Sequence, residues 1–304
     1  MSFSSLAHVA RPSETRCGNL ILQWGSRTYV VGILNVTTDS FSGDGIGGDV
    51  ERAVAQAVRF VAEGADILDI GGESTRPGAD AIPLQEELDR VLPVVEAVRR
   101  EVDVPLSIDT YKAAVARAAV QAGAAMVNDV WGLGGDPDMG ATVAALAVPV
   151  VLMHNRRSES RQSALGSYYE QAAYGDVAED VTRELGETIA RATACGIATE
   201  NIIIDPGIGF GKTPQQNISL MRNLGMLQRL GQPVLIGTSR KSFIGLTLDL
   251  PVEERLEGTA ATVALAIAQG VDLVRVHDVG SMVRVCRMAD AIVRDGMTAK
   301  SQFP

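Results

Sequence analysis

The sequence predicts an α/β fold, a single (β/α)8 barrel with an N-terminal β-hairpin, and three observations support this prediction. Short apolar runs rich in β-branched residues alternate with longer amphipathic stretches, which is the pattern of parallel βα units. Most of these runs end in a polar residue, and the carboxyl ends of the strands of a closed barrel share one mouth. The chain has 304 residues, a length that suits one barrel with a short extension better than two domains.

The individual elements follow in chain order. We predict a flexible lead-in over residues 1–19, the barrel domain over residues 20–297 and a tail over residues 298–304. A hairpin is predicted from residues 20–24 and 27–35; its second arm is the first barrel strand, and its first arm is expected to plug the barrel floor. Further strands are expected at the apolar runs that end near residues 69, 109, 129, 153, 205, 237 and 276. Helices are predicted over residues 49–63, 84–101, 113–122, 137–146, 170–195, 215–230, 252–269 and 281–294. Residues 155–168 are expected to form an irregular polar loop over the mouth.

Composition and charge exclude several classes of protein. The net charge is −10 and the sequence shows no basic face, which argues against a nucleic-acid-binding protein. No apolar run is long enough to span a bilayer, and residues 1–17 lack the pattern of a secretory signal, so we expect a cytoplasmic protein. Cys17, Cys195 and Cys286 are odd in number and far apart, which argues against a disulfide framework or a zinc cluster.

A glycine-rich segment over residues 205–213 superficially matches a phosphate-binding loop. Pro206 stands where that motif requires its first glycine, and the same glycines do not have the spacing of a dinucleotide-binding motif either. We therefore interpret the segment as a flexible loop that leads from a strand to a helix over the barrel mouth.

Three polar residues at predicted strand ends have the chemistry to bind a flat heterocycle. Asp109, Asn128 and Asp205 offer carboxylate and amide groups, which match the alternating donors and acceptors of an amino-pyrimidinone edge. The alternative is that each residue caps a helix or satisfies loop backbone. Their occurrence together at one barrel mouth favours the binding interpretation.

Two groups of basic residues are expected to hold an anion against the unfavourable net charge. Arg275 and His277 alternate at the end of the last strand, so their side chains point to the same side. Residues 239–242, with the sequence Ser-Arg-Lys-Ser, follow a strand and open a helix, where free backbone N–H groups add to the two cations. Helix capping alone explains the serines but not both cations.

The first two strands lead into glycine-rich loops over residues 43–48 and 71–78. Such loops often close over a substrate and exclude water, although turn formation alone also explains the glycines. Asn35 precedes the first loop and is a candidate ligand for Mg²⁺ that bridges phosphate oxygens, because magnesium sites often combine few protein ligands with substrate phosphates.

These motifs, taken in order, resemble the dihydropteroate synthase family. Residues 32–42 are similar to its first signature and residues 71–78 to its second. Further matches fall at residues 107–110, 128–130, 205–212, 239–242 and 275–279, so the resemblance covers nearly all of the chain after the lead-in. It implies a TIM barrel that condenses 6-hydroxymethyl-7,8-dihydropterin diphosphate with 4-aminobenzoate, giving 7,8-dihydropteroate and diphosphate in folate synthesis. It also implies a homodimer, and sulfonamides as competitors of 4-aminobenzoate.

The resemblance implies a role for each matching residue. The residues that hold the pterin are Asn128, Asp205 and Lys241, with Asp109 close to it. The residues that hold the diphosphate, together with Mg²⁺, are Asn35, Arg275 and His277. The residues on the side of the second substrate and the mobile loops are Thr75, Arg76 and Ser242, and the pocket walls are Met153 and Phe210. The residues expected to act in catalysis are Asp109, Lys241, Arg275 and His277.

The implied reaction fits this set of side chains. The diphosphate leaves from a methylene on an electron-rich dihydropterin, whose ring stabilises the resulting cation, so an SN1-like path is expected. No strong general base is needed, because the aniline nitrogen is already nucleophilic and loses its proton late. That agrees with a site that has cations, amides and carboxylates but no nucleophile–base triad.

The sequence departs from the family pattern at two places. Thr38 stands where the first signature usually has proline; proline fixes φ and threonine does not, so loop mobility and sulfonamide sensitivity are expected to differ. Residues 155–157, with the sequence Asn-Arg-Arg, replace the more usual methionine and glycine pattern after His154.

Two alternative functions stay open at this point. A pterin-dependent methyltransferase acting on a corrinoid protein would share the pterin-binding groups, but it would need neither residues 239–242 nor the pair Arg275 and His277. A catalytically inactive pterin-binding homologue that serves a partner protein is the second alternative, and the intact anion-holding residues argue against it.

Overall fold

Parallel strands arranged as a barrel form the centre of the structure, which confirms the predicted fold class. The computed structural model describes residues 11–36, 50–74, 81–163 and 168–294. The strands are β1 (Glu14–Cys17), β2 (Leu20–Gln23), β3 (Tyr29–Asn35), β4 (Ile67–Gly71), β5 (Leu106–Asp109), β6 (Met126–Asp129), β7 (Val150–Met153), β8 (Arg161–Gln162), β9 (Tyr169–Gln171), β10 (Ile202–Asp205), β11 (Leu235–Ile236) and β12 (Leu273–Val276). The eight-stranded sheet has the order β10-β7-β6-β5-β4-β3-β12-β11, and a parallel bridge between Ile204 and Val234 brings its two edges together.

Helices follow the barrel strands, as the alternating pattern predicts. Their bounds are α1 (Val50–Glu63), α2 (Leu84–Glu101), α3 (Ala113–Gln121), α4 (Met139–Leu146), α5 (Val177–Ala194), α6 (Pro214–Arg222), α7 (Ser242–Leu248), α8 (Leu256–Ala268) and α9 (Val279–Val293). Their buried faces pack on the outside of the sheet in one large apolar cluster. Within the described part of the chain, no helix has the length and apolar character needed to cross a membrane.

Three helix predictions differ from the structure. The helix predicted from residue 170 begins only at Val177, because Tyr169–Gln171 forms β9 and the Asp176 carboxylate caps the helix by accepting bonds from backbone N–H groups. The helix predicted over residues 215–230 is divided: α6 ends at Arg222 and a 3-10 helix, Leu224–Leu230, follows. Similarly, Val252–Glu254 is a 3-10 helix that precedes α8.

The N-terminal hairpin is present, but its arms are not the predicted ones. β1 pairs antiparallel with β2, so the first arm lies within the segment predicted to be a flexible lead-in. β3 is not a hairpin arm, since it pairs in parallel with β4 on one side and β12 on the other, which leaves it no free edge. Cys17 and Leu22 of the hairpin are fully buried beneath the barrel. The predicted plug in the barrel floor is therefore confirmed, with both arms taking part.

The polar segment after β7 has more structure than the irregular loop predicted there. Arg157–Glu159 is a short 3-10 helix, and β8 pairs antiparallel with β9; residues 164–167 lie outside the described part. Asn155 Nδ2 donates to the Val130 carbonyl over 2.8 Å, and Arg157 Nε donates to the Tyr169 hydroxyl over 3.1 Å. The unusual residues after His154 thus fasten this segment to neighbouring elements.

The barrel interior is layered from an apolar floor to a polar mouth. The floor cluster comprises Cys17, Leu22, Tyr29, Val31, Ile67, Met126, Val151, Ile203, Leu235 and Leu273. Val31 is the register partner of Ile67, and two residues further along these strands Ile33 is the partner of Asp69. Because side chains alternate along a strand, Asp69 also faces the interior, one layer above the floor cluster.

Candidate functional site

Four register partners form a row across adjacent strands at the barrel mouth. Asn35, Gly71, Asp109 and Asn128 are paired in turn across β3, β4, β5 and β6, and we call these residues the mouth row. A Cβ atom at Gly71 would lie 3.5 Å from the Cβ of Asp109, so the two positions face the same space. The parallel sheet therefore brings together two of the predicted pterin-binding residues and the predicted metal ligand.

Arg275 joins this row by pairing with two carboxylates. Its Nε donates to Asp69 Oδ2 over 2.6 Å, and its Nη2 donates to Asp109 Oδ2 over 2.7 Å. Burial lowers the pKa of Arg275, but Asp69 and Asp109 outweigh that effect and hold the pKa above its ordinary value. Burial raises the pKa of Asp109 to about 7, with Arg275 opposing the rise. The Asp109 Oδ1 atom is buried and has no partner among the described residues, so it is free to accept a ligand N–H group.

Asn128 is held by the same buried carboxylate as Arg275. Its Nδ2 donates to Asp69 Oδ2 over 3.0 Å. Because the amide presents its NH₂ group to Asp69, its oxygen is directed elsewhere. Asp69 was not among the predicted site residues, although it ends the second apolar run of the sequence.

Asp205 lies at the end of β10 beside Met153, its register partner. Its Oδ1 accepts the backbone N–H of Gly207 over 2.7 Å. Burial raises the pKa of Asp205 to about 6, and the Gly207 bond and Lys241 limit the rise. The carboxyl group therefore ionises at a pH just below neutral, and its Oδ2 atom is available to a ligand.

Lys241 and Phe210 form one wall of the mouth. The Lys241 Nζ lies 4.2 Å from the centre of the Phe210 ring, a cation–π contact. Burial and the neighbouring Arg275 lower the pKa of Lys241 to about 8. Phe210 also packs with Met153 and Val130 in a small apolar cluster at the mouth. The two predicted pocket walls therefore lie together, beside a cation.

His277 is oriented by Ser239. The Ser239 hydroxyl accepts the backbone N–H of His277 over 3.1 Å and lies 3.0 Å from its Nδ1. With the hydroxyl hydrogen directed at Nδ1, a neutral imidazole ring carries its proton on Nε2. The predicted basic cluster is thus divided by the structure: Ser239 serves His277, and the Arg240 guanidinium pairs with Asp278 at 2.7 Å. Ser242 begins α7 and is half-buried.

Residues Thr75 and Arg76, predicted to lie on the side of the second substrate, fall outside the described residues. The two ends of their loop are nevertheless tied together by Lys112. Its Nζ donates to Glu73 Oε2 over 2.6 Å and to the Ile82 carbonyl over 2.8 Å. The loop therefore starts and finishes at fixed positions beside the mouth row.

A buried hydrogen-bond network lies behind the 205–212 loop, and the sequence pattern did not predict it. Lys212 Nζ donates to the carbonyl oxygens of Gly207 and Phe210 over 2.9 and 3.1 Å and lies 3.0 Å from His154 Nδ1. His154 Nε2 lies 2.9 Å from Glu184 Oε2. A Cβ atom at Gly207 would overlap the His154 carbonyl oxygen, so only glycine fits this close approach. His154 therefore supports the loop that carries Asp205 and Phe210.

Comparison with known proteins agrees with this geometry. The family model described as pterin binding enzyme matches residues 31–277. The dihydropteroate synthase of Clostridium beijerinckii is 48% identical over 271 residues, which cover 89% of this chain and 96% of that protein. Among solved structures, the dihydropteroate synthase of Xanthomonas albilineans with 4-aminobenzoic acid has a TM-score of 0.82 and 45% identity, covering 92% of this chain and 98% of the other. The Yersinia pestis enzyme in complex with a sulfonamide drug has a TM-score of 0.85 and 40% identity, with the same coverage of both chains. The chain therefore belongs to the pterin-binding enzyme family, together with these dihydropteroate synthases.

Proposed function

We propose that this protein is a dihydropteroate synthase, which condenses 6-hydroxymethyl-7,8-dihydropterin diphosphate with 4-aminobenzoate and releases diphosphate. The observation that carries the proposal is the shared barrel mouth. Acceptors suited to a pterin edge, Asp109, Asn128 and Asp205, lie in the same mouth as the anion-binding groups Arg275 and His277. A substrate that is a pterin at one end and a diphosphate at the other needs both sets.

The pterin end is assigned to the side of the mouth lined by carboxylates. Asp205 offers a carboxylate oxygen beyond the one that accepts Gly207 N–H, and Asn128 offers its amide oxygen. Together they suit the amino and ring N–H groups of a pterin. Lys241 donates to a ring acceptor and, with Phe210, forms the wall against the ring face.

The diphosphate end is assigned to Arg275 and His277. Arg275 commits Nε and Nη2 to Asp69 and Asp109, and its other N–H groups have no acceptor among the described residues. Those donors and the His277 Nε2–H stabilise negative charge that grows on the leaving diphosphate. As the C–O bond to diphosphate breaks, the electron-rich pterin ring carries the positive charge, so the path is SN1-like. The amine of 4-aminobenzoate then forms the C–N bond and loses a proton.

Mg²⁺ is the proposed cofactor, with Asn35 as its protein ligand. The structure fits this assignment, because Asn35 is half-buried at the mouth end of β3 and its side chain has no hydrogen-bond partner among the described residues. A carboxamide oxygen is a hard ligand of the kind that Mg²⁺ takes together with phosphate oxygens. When bound there, the ion supplies charge neutralisation to the diphosphate.

A homodimer in the cytoplasm is the proposed state of the protein. Leu265 of α8 and Met288 and Ile292 of α9 are 63%, 63% and 70% exposed, although α8 packs directly on α9. Large apolar side chains gathered on neighbouring helices are typical of a surface that a second copy covers.

One experiment tests the proposed activity and both alternatives. The two substrates are mixed with the protein, and diphosphate release is followed with and without a sulfonamide, and with Mg²⁺ or a chelator. A dihydropteroate synthase releases diphosphate only when both substrates are present, and the sulfonamide and the chelator suppress the release. A methyltransferase or an inactive pterin-binding homologue releases none. Absence of release by a folded, pterin-binding preparation would reject the proposed function.

A further inference from the structure

One oxygen atom serves both halves of the proposed site. Asp69 Oδ2 accepts Arg275 Nε over 2.6 Å and Asn128 Nδ2 over 3.0 Å. The other oxygen, Oδ1, is buried and accepts nothing from the described residues. The two donors therefore share a single acceptor atom, and one of them belongs to the anion side while the other belongs to the pterin side.

Asp69 lies below the ligands and not against them. Its register partners are Ile33 and Ser107, one layer beneath the mouth row, and its side chain is almost fully buried. Asp109 differs in this respect, because it belongs to the mouth row itself. Asp69 is therefore placed to act through Arg275 and Asn128 and not by touching substrate.

The shared oxygen fixes the direction of both ligand-binding groups. At Asn128 it takes the NH₂ group, which leaves the amide oxygen for a ligand donor. At Arg275 it takes Nε, and Asp109 takes Nη2, which fixes the plane of the guanidinium and directs its remaining donors. A change in one of these bonds changes the acceptor strength available to the other.

We propose that Asp69 is a positioning residue that couples diphosphate binding to pterin binding. The inference rests on the proposed function, since it takes Arg275 as the diphosphate ligand and Asn128 as a pterin ligand. An anion that binds Arg275 competes with Asp69 for the guanidinium, so the hydrogen bond from Arg275 Nε to Asp69 Oδ2 weakens. The oxygen then holds the Asn128 amide more firmly, and the pterin site is ordered before the pterin enters. Linkage requires the reverse effect to be equal, so a bound pterin tightens diphosphate binding by the same factor.

The test measures that coupling in Asp69→Asn, which keeps the shape of the side chain. Calorimetry gives the dissociation constant of 6-hydroxymethylpterin with and without saturating inorganic diphosphate. We expect diphosphate to tighten pterin binding on the order of tenfold in the unchanged protein. In Asp69→Asn the ratio of the two constants should fall to about one, because the amide offers one acceptor oxygen and a donor that faces Asn128 or Arg275.

The matched control is Asp66→Asn, which removes a carboxylate–guanidinium pair with Arg27 just before the same strand. The Asp66 variant should keep the full coupling ratio, and thermal unfolding of both variants reports loss of fold. A second measurement uses the unchanged protein: the side-chain amide NMR signal of Asn128 should shift when inorganic diphosphate alone is added.

The outcomes separate this inference from the proposed function. If Asp69→Asn keeps the coupling ratio, or if diphosphate leaves the Asn128 signal unmoved, the coupling role of Asp69 is rejected while the assigned activity stands. If the unchanged protein binds neither pterin nor diphosphate, the proposed function itself fails.

Discussion

The Nζ atom of Lys212 lies 3.0 Å from Nδ1 of His154, and both side chains are buried. The ammonium has three N–H donors, and here each of them faces an acceptor: the imidazole nitrogen and the carbonyl oxygens of Gly207 and Phe210. Burial lowers the pKa of Lys212 to about 7 and the pKa of His154 to about 4, so His154 is neutral and donates from Nε2 to Glu184. The 205–212 loop is thereby fastened from behind.

Lys212→Met should destabilise the protein and weaken pterin binding together. The change leaves buried acceptors without a donor, at about 1–3 kcal/mol for each. Urea titration should give a lower free energy of unfolding. Calorimetry should show weaker pterin binding, because Asp205 and Phe210 lie on the loop that Lys212 no longer holds. Arg59→Met, at an exposed ion pair with Glu63 of α1, is the control and should change neither quantity. An unchanged unfolding midpoint for Lys212→Met would show that the loop needs no anchor.

Arg275→Ala should lose diphosphate binding and turnover. Removing one preorganised donor to developing negative charge reduces transition-state stabilisation by about 2–4 kcal/mol, which is a decrease in kcat/KM of about 30- to 900-fold. Arg27→Ala removes a guanidinium paired with Asp66 away from the mouth and should leave kcat/KM unchanged. Near-normal turnover and diphosphate affinity in Arg275→Ala would remove this residue from the anion site.

Pterin affinity should depend on pH through Asp205. Burial raises the pKa of Asp205 to about 6, so below pH 6 the free protein carries a protonated carboxyl that has lost acceptor capacity. Below pH 6 this loss should lower the affinity about tenfold for each pH unit, in addition to the loss caused by protonation of Asp109, whose pKa is about 7. Asp205→Asn should bind a pterin weakly at every pH. A variant with unchanged affinity and the same pH profile would place the pterin elsewhere.

Sulfonamide selectivity should change at Thr38, a prediction that rests on the sequence because Thr38 lies outside the described residues. Thr38→Pro restricts φ in the loop expected to cover the 4-aminobenzoate end. We expect the inhibition constant of a sulfonamide to fall more than the Michaelis constant for 4-aminobenzoate, since selectivity is a difference of two affinities. Both constants are measured for the two forms. An unchanged ratio would make Thr38 a neutral substitution.

The double variant Leu265→Glu with Ile292→Glu should be a monomer. Each change places a charge in the apolar surface proposed to be covered by a second copy, where it would be desolvated without a partner. Light scattering after size-exclusion chromatography gives the mass directly. Leu84→Glu, at an exposed apolar position of α2, is the control and should keep the dimer mass. A monomeric unchanged protein, or a dimeric double variant, would reject this surface as the dimer interface.

The sequence determined the fold class and most of the mouth. Alternating runs with polar ends indicate parallel βα units, and parallel strands bring Asp109, Asn128 and Asp205 to one end whatever the loops do. Residues at strand ends can be predicted from the sequence, because the local pattern of apolar and polar residues shows where each strand ends.

Other features depended on contacts between distant parts of the chain, and only the tertiary structure decided them. Asp69 and Arg275 are 206 residues apart, and Lys212 and His154 are 58 apart, so no local pattern joins either pair. The hairpin arms were mistaken for a similar reason: β3 has strong strand character, but its pairing with β4 and β12 leaves no edge for residues 20–24. The sequence therefore predicts which side chains lie at the barrel mouth. Only the closed barrel determines which buried charged groups form hydrogen bonds with one another below the mouth.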